Sequence, residues 1–388
     1  MDSRAHASPR PPLIAAAGLL ALMLAMGIGR FGFTALLPQM RDDGLLDLGG
    51  AGVMAAMNYL GYLAGALWTA FSTRADASRR LVVGVLASVA STVAMGVHLG
   101  FAGWCALRFV SGVASAVVYV YATGIVLRGL AERGAAGWSA LHYMGVGCGI
   151  VVSALVAQGL GAGDALGGWR ALGAVATVAA LGVAAVLAPH GRSAPGTPTN
   201  ATTAGAAPPL GWLAAAYGLA GFGYIVNATF LPTLLRGESG TAGAAMAGWL
   251  VVGLAALPAT ALWVRLSFRR GGYPVLMAAT LIQAVGVALP VLVDGVAAAM
   301  TGAALLGGTF MGIAGLAQWL ARVPDARLTA RRIGLITACY GVGQIAGPLL
   351  VAVRGRDAGL ALPVLLAAGA LVLSAALLEV SRRRERLG

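Results

Sequence analysis

GIGRFGFTALLP at residues 27–38 and GFGYIVNATFLP at 221–232 are two versions of one stretch, 194 residues apart. Gly27, Gly29 and Pro38 fall on Gly221, Gly223 and Pro232, while Arg30 falls on Tyr224. A second match, Gly145-Val146-Gly147 with Gly341-Val342-Gly343, lies at an offset of 196. Matches in equivalent places at nearly one offset point to a chain built from two duplicated halves.

Each copy sits inside a long apolar run. The 388 residues are 59% hydrophobic and only 10% charged, with a mean hydropathy of +0.86. Soluble domains run at about 45–50% apolar and about 25% charged, so a soluble enzyme with a large core is excluded. A bilayer-spanning helix needs roughly 20 apolar residues. Runs bounded by charge, Gly or Pro predict spans near 13–39, 49–72, 81–98, 100–128, 137–158 and 169–188, then near 210–234, 245–264, 274–293, 295–321, 333–353 and 360–380. All must be helices, because lipid leaves no outside partner for backbone polar groups and the alternation of a membrane barrel is missing. Arg4 and Arg10 precede the first run as in a signal peptide, but the run continues to about Met40 without a small-residue cleavage site and reads as a retained span.

The fold class is therefore an all-α membrane protein of twelve transmembrane helices in two pseudo-symmetric six-helix bundles, 1–188 and 210–388. The stretch 189–209, PHGRSAPGTPTNATTAGAAPP, has the composition of a flexible linker. All 26 basic residues are arginine, and alternate sides hold 19 and five of them, with Arg30 and Arg108 inside spans. The arginine bias places both termini and the linker in the cytoplasm of a multi-pass inner (plasma) membrane protein. Clusters between spans are a topology signal, so the formal charge of +13 does not imply nucleic acid. Cys105, Cys148 and Cys339 all lie in apolar stretches, an odd number without CxxC spacing, so neither a disulfide framework nor a zinc site is indicated.

Twelve spans in two halves with inside termini resemble the major facilitator superfamily of secondary transporters. GIGRFGFTALLPQM (27–40), NYLGYLAGAL (58–67), LRFVSGVASA (107–116), YGLAGFGYIVNATFLP (217–232) and YGVGQIAGPL (340–349) are similar to its YbfB/YjiJ branch. The resemblance implies the major facilitator fold and a transport role, with a small-molecule substrate. Arg108 with Gly112 fits the superfamily's span-four pattern, whereas the loop at 72–80 lacks the glycines of its loop signature. Gly343 to Gly347-Pro348 is similar to the glycine-proline signature of drug antiporters, but that signature belongs in span five.

Arg30 and Arg108 are the arginines well inside spans, each roughly 8 residues, or ~12 Å, below one boundary, so they share a layer. Burying an arginine in lipid is costly, and such residues face a bundle interior or a wet cavity. One reading is a two-arginine clamp for an anion, since a guanidinium is a planar fork of donors. The other ties Arg108 to backbone carbonyls and lets Arg30 snorkel outward. Asn58, Tyr62, Tyr119, Tyr224, Asn227, Gln318, Tyr340 and Gln344 are mid-span polar groups that need a neighbouring helix or a substrate as partner. Arg30, Arg108, Asn58, Tyr224, Asn227 and Gln344 form the candidate binding set. Tyr224 opposite Arg30 in the repeat favours an asymmetric substrate with one charged end.

No span centre carries a carboxylate; Glu379 lies at a span end. Proton coupling would then fall to His142 or to the substrate itself. Gly343, Gly347 and Pro348 are read as conformational positions that allow close approach and bending. Met23/Met26 and Met54/Met57 are filler rather than copper ligands. With few histidines and no added soluble domain, neither a membrane enzyme nor a sensor is expected. The expectation is a monomeric, cofactor-free and metal-free carrier of a small organic anion by alternating access, with efflux of amphipathic compounds as the rival. A polar, arginine-lined cavity marks the first, an aromatic, methionine-lined one the second.

Overall fold

The computed structural model of the chain describes residues 9–72, 76–159, 163–189, 210–239, 242–354 and 359–387. Apart from Pro189, the expected linker lies outside these residues. The first span is composite: α1 (Pro11–Leu22), a π-helical stretch (Met23–Ile28) and, after a turn, α2 (Gly32–Asp42). It is followed by α3 (Leu48–Phe71), α4 (Ala77–Ala94), α5 (Gly100–Ala131), α6 (Ser139–Gly159) and α7 (Ala165–Leu187). Beyond 190–209 come α8 (Gly211–Ser239), α9 (Ala242–Arg270), α10 (Gly272–Leu292), α11 (Val296–Leu320), α12 (Ala326–Val353) and α13 (Ala361–Leu387). Among the described residues, eleven stretches are long and apolar enough to cross a membrane. The exception is α3, which carries no charge but is diluted by Asn58, Tyr59, Tyr62 and five glycines.

The duplication is visible in the packing. In the first half α3 packs on α5, α1 on α6 and α7, and α4 on α5 and α7. In the second half the equivalent pairs recur: α9 on α11, α8 on α12 and α13, and α10 on α11 and α13. The halves meet through α3 with α12, α6 with α9, and α2 with α8, and the last pair is its own equivalent. A pseudo-twofold axis therefore passes between α2 and α8. The outermost helices turn large apolar side chains outward, such as Leu86 at 60%, Val178 at 71% and Leu181 at 68% exposure. That is the surface a lipid environment selects.

The structure corrects one alignment of the repeat. A Cβ placed on Gly149 would meet Gly27 Cα at 2.5 Å, and one on Gly343 would meet Gly218 O and Phe222 N, so both glycines face the first span of their own half. Gly147 faces Gly253 and Leu257 in the other half, and Gly341 faces Leu63 in the other half. The equivalent pairs are thus Gly147 with Gly341 and Gly149 with Gly343, at the offset of 194 that relates Arg30 to Tyr224, not 196.

The halves touch closely at the end that bears Asp42, Asp47 and Asp164. There Asp42 pairs with Arg236, Thr34 Oγ1 donates to Ala228 O at 2.8 Å, and Gly52 abuts Pro348 O and Ala352. At the arginine-rich end they part around two cavities. One of about 520 Å³ lies between α3, α5 and α12, and one of about 390 Å³ between α5, α6, α9 and α11.

Candidate functional site

The site begins where the first span breaks. The wide turn of a π-helix and the following bend withdraw carbonyls from the regular i→i−4 ladder, and a buried carbonyl needs a new partner. One face of α5 supplies them. Ser115 Oγ donates to Ala25 O at 2.7 Å, Ser111 Oγ to Gly29 O at 2.8 Å, Arg108 Nη1 to Gly29 O at 2.8 Å and Nη2 to Arg30 O at 3.0 Å. The Arg108 guanidinium also lies 5.0 Å from the Phe33 ring centroid. Asn58 Nδ2 donates to Arg108 O at 2.9 Å and so fixes α3 to α5.

Arg30 shares this layer but is placed differently. It is only 3% exposed, so it does not snorkel to the membrane surface. Its guanidinium lies 4.6 Å from the Tyr62 centroid, 4.7 Å from Tyr59 and 5.6 Å from Phe31. Nη2 reaches Tyr224 Oη at 3.4 Å, and Nε has no partner. Among the described residues no carboxylate pairs with it. Ring faces interact with the face of a guanidinium, whereas its N–H donors lie in the plane, so the rings do not satisfy those donors.

Tyr224 is both the repeat equivalent of Arg30 and its contact, because the two straddle the pseudo-twofold axis. Gln344 Nε2 donates to Tyr224 Oη. The Tyr224 ring is stacked on Tyr340 (5.6 Å, 12°) and on Phe310 (6.0 Å, 2°), and Tyr340 is stacked on Tyr217 (4.2 Å, 18°). Phe310 meets Phe31 edge-on at 6.0 Å. Tyr59 Oη shares a 2.9 Å hydrogen bond with Thr229 Oγ1, a second polar link between halves. The result is an aromatic column that begins at the Arg30 layer. The cavity between α5, α6, α9 and α11 rises from Arg322 and Phe268 to Tyr119 and Gln318. Gln318 is hydrogen-bonded to Tyr217, so this cavity leads to the foot of the column.

Of the sequence-predicted set, the structure brings together Arg30, Tyr224 and Gln344. Arg108 spends Nη1 and Nη2 on backbone carbonyls. Asn58 serves the α3–α5 contact, and Asn227 Nδ2 donates to Val287 O at 3.0 Å inside the second half. His142 is fully buried in the first half, with Nε2 3.0 Å from Thr123 Oγ1 and its ring against Gly18. Gly343 and Gly347 pack on α8, whereas Pro348 meets Gly52 across the halves. Tyr59, Tyr217, Phe31, Phe310 and Thr229 were not foreseen from sequence. Tyr59 with Tyr62 at i, i+3 and Tyr217 with Tyr224 at i, i+7 are the periodicities that mark them.

Comparison with known proteins bears on the family. The family model described as uncharacterised MFS-type transporter YbfB matches residues 22–379. No curated protein sequence matches the chain. Among solved structures, a mutant of the nucleoside transporter NupG superposes with a TM-score of 0.72 at 12% identity, over 95% of this chain and 99% of that one. A bacterial homolog of the human lysosomal transporter Spinster, described as inward-facing and unoccupied, gives 0.64 at 16% identity, over 98% and 97%. At these identities the structural likeness establishes the major facilitator fold. The chain belongs to the YbfB-type family of major facilitator superfamily transporters.

Proposed function

We propose that this secondary transporter carries a small organic anion that bears a planar ring. The carboxylate or sulfonate sits on the in-plane donors of Arg30 and the ring against the aromatic column of Tyr224, Tyr340 and Tyr217. One observation carries the reading: Arg30 is a buried guanidinium at the axis between the halves, with a single 3.4 Å contact to Tyr224 Oη and no carboxylate beside it among the described residues, whereas Arg108, whose Nε is likewise unpartnered, is held by two short bonds to carbonyls. A buried charge is normally paired, and a substrate anion is the missing partner. Arg108 is then a positioning residue that fixes the backbone on which Arg30 stands.

The arginine bias supports cytoplasmic termini in the plasma membrane, which makes the parted, arginine-rich end the cytoplasmic one and the present form inward-facing. Rocking of bundles 1–188 and 210–388 that parts α2 from α8 opens the other end. The apolar cavity walls keep amphipathic efflux as the second reading, because Met311, Phe268 and Trp319 line the route.

Thermal shift of the purified protein separates the two. Benzoate and benzenesulfonate should raise the melting temperature of the wild type, neutral benzamide should not, and Arg30→Met should abolish the effect, since a ligand of the folded state stabilises it by mass action. Equal stabilisation by benzamide, or a full response in Arg30→Met, refutes the anion reading.

A further inference from the structure

We propose that the cavity of about 520 Å³ between α3, α5 and α12 is a binding site for an anionic phospholipid of the leaflet at the arginine-rich end, and that the bound lipid holds the halves parted there. The site does not depend on what Arg30 binds. Its volume is that of a small-molecule pocket, and its walls are apolar: Leu63 and Leu67 from α3, Val120 and Ile125 from α5, Ile333 and Ala338 from α12. Helices α3 and α12 touch where Gly52 abuts Pro348 and again where Gly341 meets Leu63, and beyond Leu63, towards the arginine-rich end, the cavity lies between them. Leu67, which lines it, also stands in the exposed row Leu60, Leu67 and Phe71 of α3. The cavity wall therefore continues into the face that meets acyl chains, and one chain can enter from the side while the other stays on that row.

The mouth is cationic. Arg128 lines the cavity two turns along α5 from Tyr121, another lining residue. Arg80, in the first turn of α4, donates through Nη1 to Tyr121 Oη at 2.7 Å and lies 5.2 Å from the Trp68 ring centroid, and its other N–H groups have no hydrogen bond among the described residues. No described carboxylate pairs with Arg80 or Arg128, and Glu132, beyond the end of α5, pairs with Arg133. Two uncompensated guanidiniums suit a phosphodiester, which accepts from forked donors. They offer nothing to the cationic group of a zwitterionic lipid, so a net-anionic headgroup is selected. Tryptophan points to the same leaflet. It normally marks both membrane interfaces, yet Trp68, Trp138, Trp212 and Trp319, all at the arginine-rich end, are exposed, whereas Trp104, Trp169 and Trp249 at the other end are buried. Because α3 and α5 belong to the first half and α12 to the second, closing this end must expel a chain seated between them. A ligand that fits only the parted form shifts the equilibrium towards it.

The test uses the full chain in phosphatidylcholine nanodiscs doped with a phosphatidylglycerol that carries a photoreactive diazirine on one acyl chain. Mass spectrometry should place the cross-links at 63–70 of α3 and 333–338 of α12. Excess unlabelled phosphatidylglycerol should compete them away, while added phosphatidylcholine or inorganic phosphate should not. Arg128→Gln, which breaks no ion pair among the described residues, should cut cross-linking about fivefold, the effect of one arginine beside an anionic headgroup. Ala338→Phe fills the cavity and keeps both arginines, and it should abolish the cross-links while the protein still melts cooperatively. In a background without native cysteines, Thr233→Cys at the opposite end should be labelled more slowly in phosphatidylglycerol nanodiscs than in phosphatidylcholine ones. Cross-links spread evenly over outward residues such as Leu86, Val178 and Leu181, equal competition by phosphatidylcholine, or full cross-linking in Ala338→Phe overturns the site. Displacement by inorganic phosphate makes it a free-anion site and overturns the lipid, undiminished cross-linking in Arg128→Gln overturns the headgroup contact, and labelling at Thr233→Cys that does not slow overturns the hold on the parted form.

Discussion

Replacing each buried arginine by methionine separates the two roles. Arg30 and Arg108 are 3% and 1% exposed, so the cost of burying a guanidinium is common to both and drops out of the difference. Arg108→Met removes charge-assisted hydrogen bonds of 2.8 and 3.0 Å, each contributing about 1.5–3 kcal/mol. It also orphans Arg30 O, at about 1–3 kcal/mol, while Gly29 O keeps Ser111. Arg30→Met loses one long contact and ring interactions of about 1 kcal/mol each. Arg108→Met should therefore be less stable than Arg30→Met by about 3 kcal/mol, several degrees in melting temperature. Benzenesulfonate at a hundred times its Kd should contribute about 2.7 kcal/mol in the wild type and nothing in Arg30→Met. Melting curves of both variants with and without the anion are the assay. Should Arg30→Met melt as low as Arg108→Met and still respond fully to the anion, the division of roles fails.

In a background without the three native cysteines, cysteines placed at Pro195 and Glu385 should resist an impermeant thiol reagent in intact cells; rapid labelling of either reverses the orientation. Gly52→Val would put a Cβ 2.5 Å from Pro348 O and 3.0 Å from the Ala352 Cβ, so it should wedge α3 from α12 at the acid-bearing end. Labelling of a cysteine at Thr233, 8% exposed, should then rise from that side, and unchanged labelling counts against the closed-end assignment. Glu379 is clamped by Arg382 and Arg383 at 2.6 and 2.7 Å, before the last turns of α13, so Glu379→Gln should leave the melting temperature nearly unchanged and leave the pH profile of transport unchanged. His142→Gln should lower stability through the lost Thr123 contact and likewise leave that profile in place; a shifted profile would return His142 to the coupling role.

Lipid made the fold legible in sequence, because it forces each span to be one long apolar helix whose ends are written in charge. The same penalty singled out Arg30 and Arg108 and placed them in one layer. Which of the two is tied to backbone carbonyls was not legible, since it depends on the π-helical turn at Met23–Ile28 and on the face of α5 that carries Arg108, Ser111 and Ser115. The repeat register failed for a related reason. Glycines at 145, 147 and 149 make a GxG match slide by two residues without penalty, and only the neighbours each glycine faces fix the register. Asn58 and Asn227 have the composition of site residues but are spent on carbonyls of neighbouring helices, a choice set by helix rotation. Tyr59 and Tyr217 have no charge to betray them and look like ordinary aromatic packing.

The weak hydropathy of α3 has a consequence for biogenesis. Asn58 holds α5, Tyr59 and Tyr62 flank Arg30, and with five glycines they make this the poorest of the twelve spans at partitioning into lipid unaided. Its glycines offer the remedy: Gly61 lies against the Phe109 backbone and Gly65 against Val113 O, so α3 and α5 come together backbone to backbone. A nascent chain emerging in order reaches α5 only after α3 and α4. The translocon would then have to retain α3 at its lateral gate until α5 arrives, so that the pair leaves for the bilayer together.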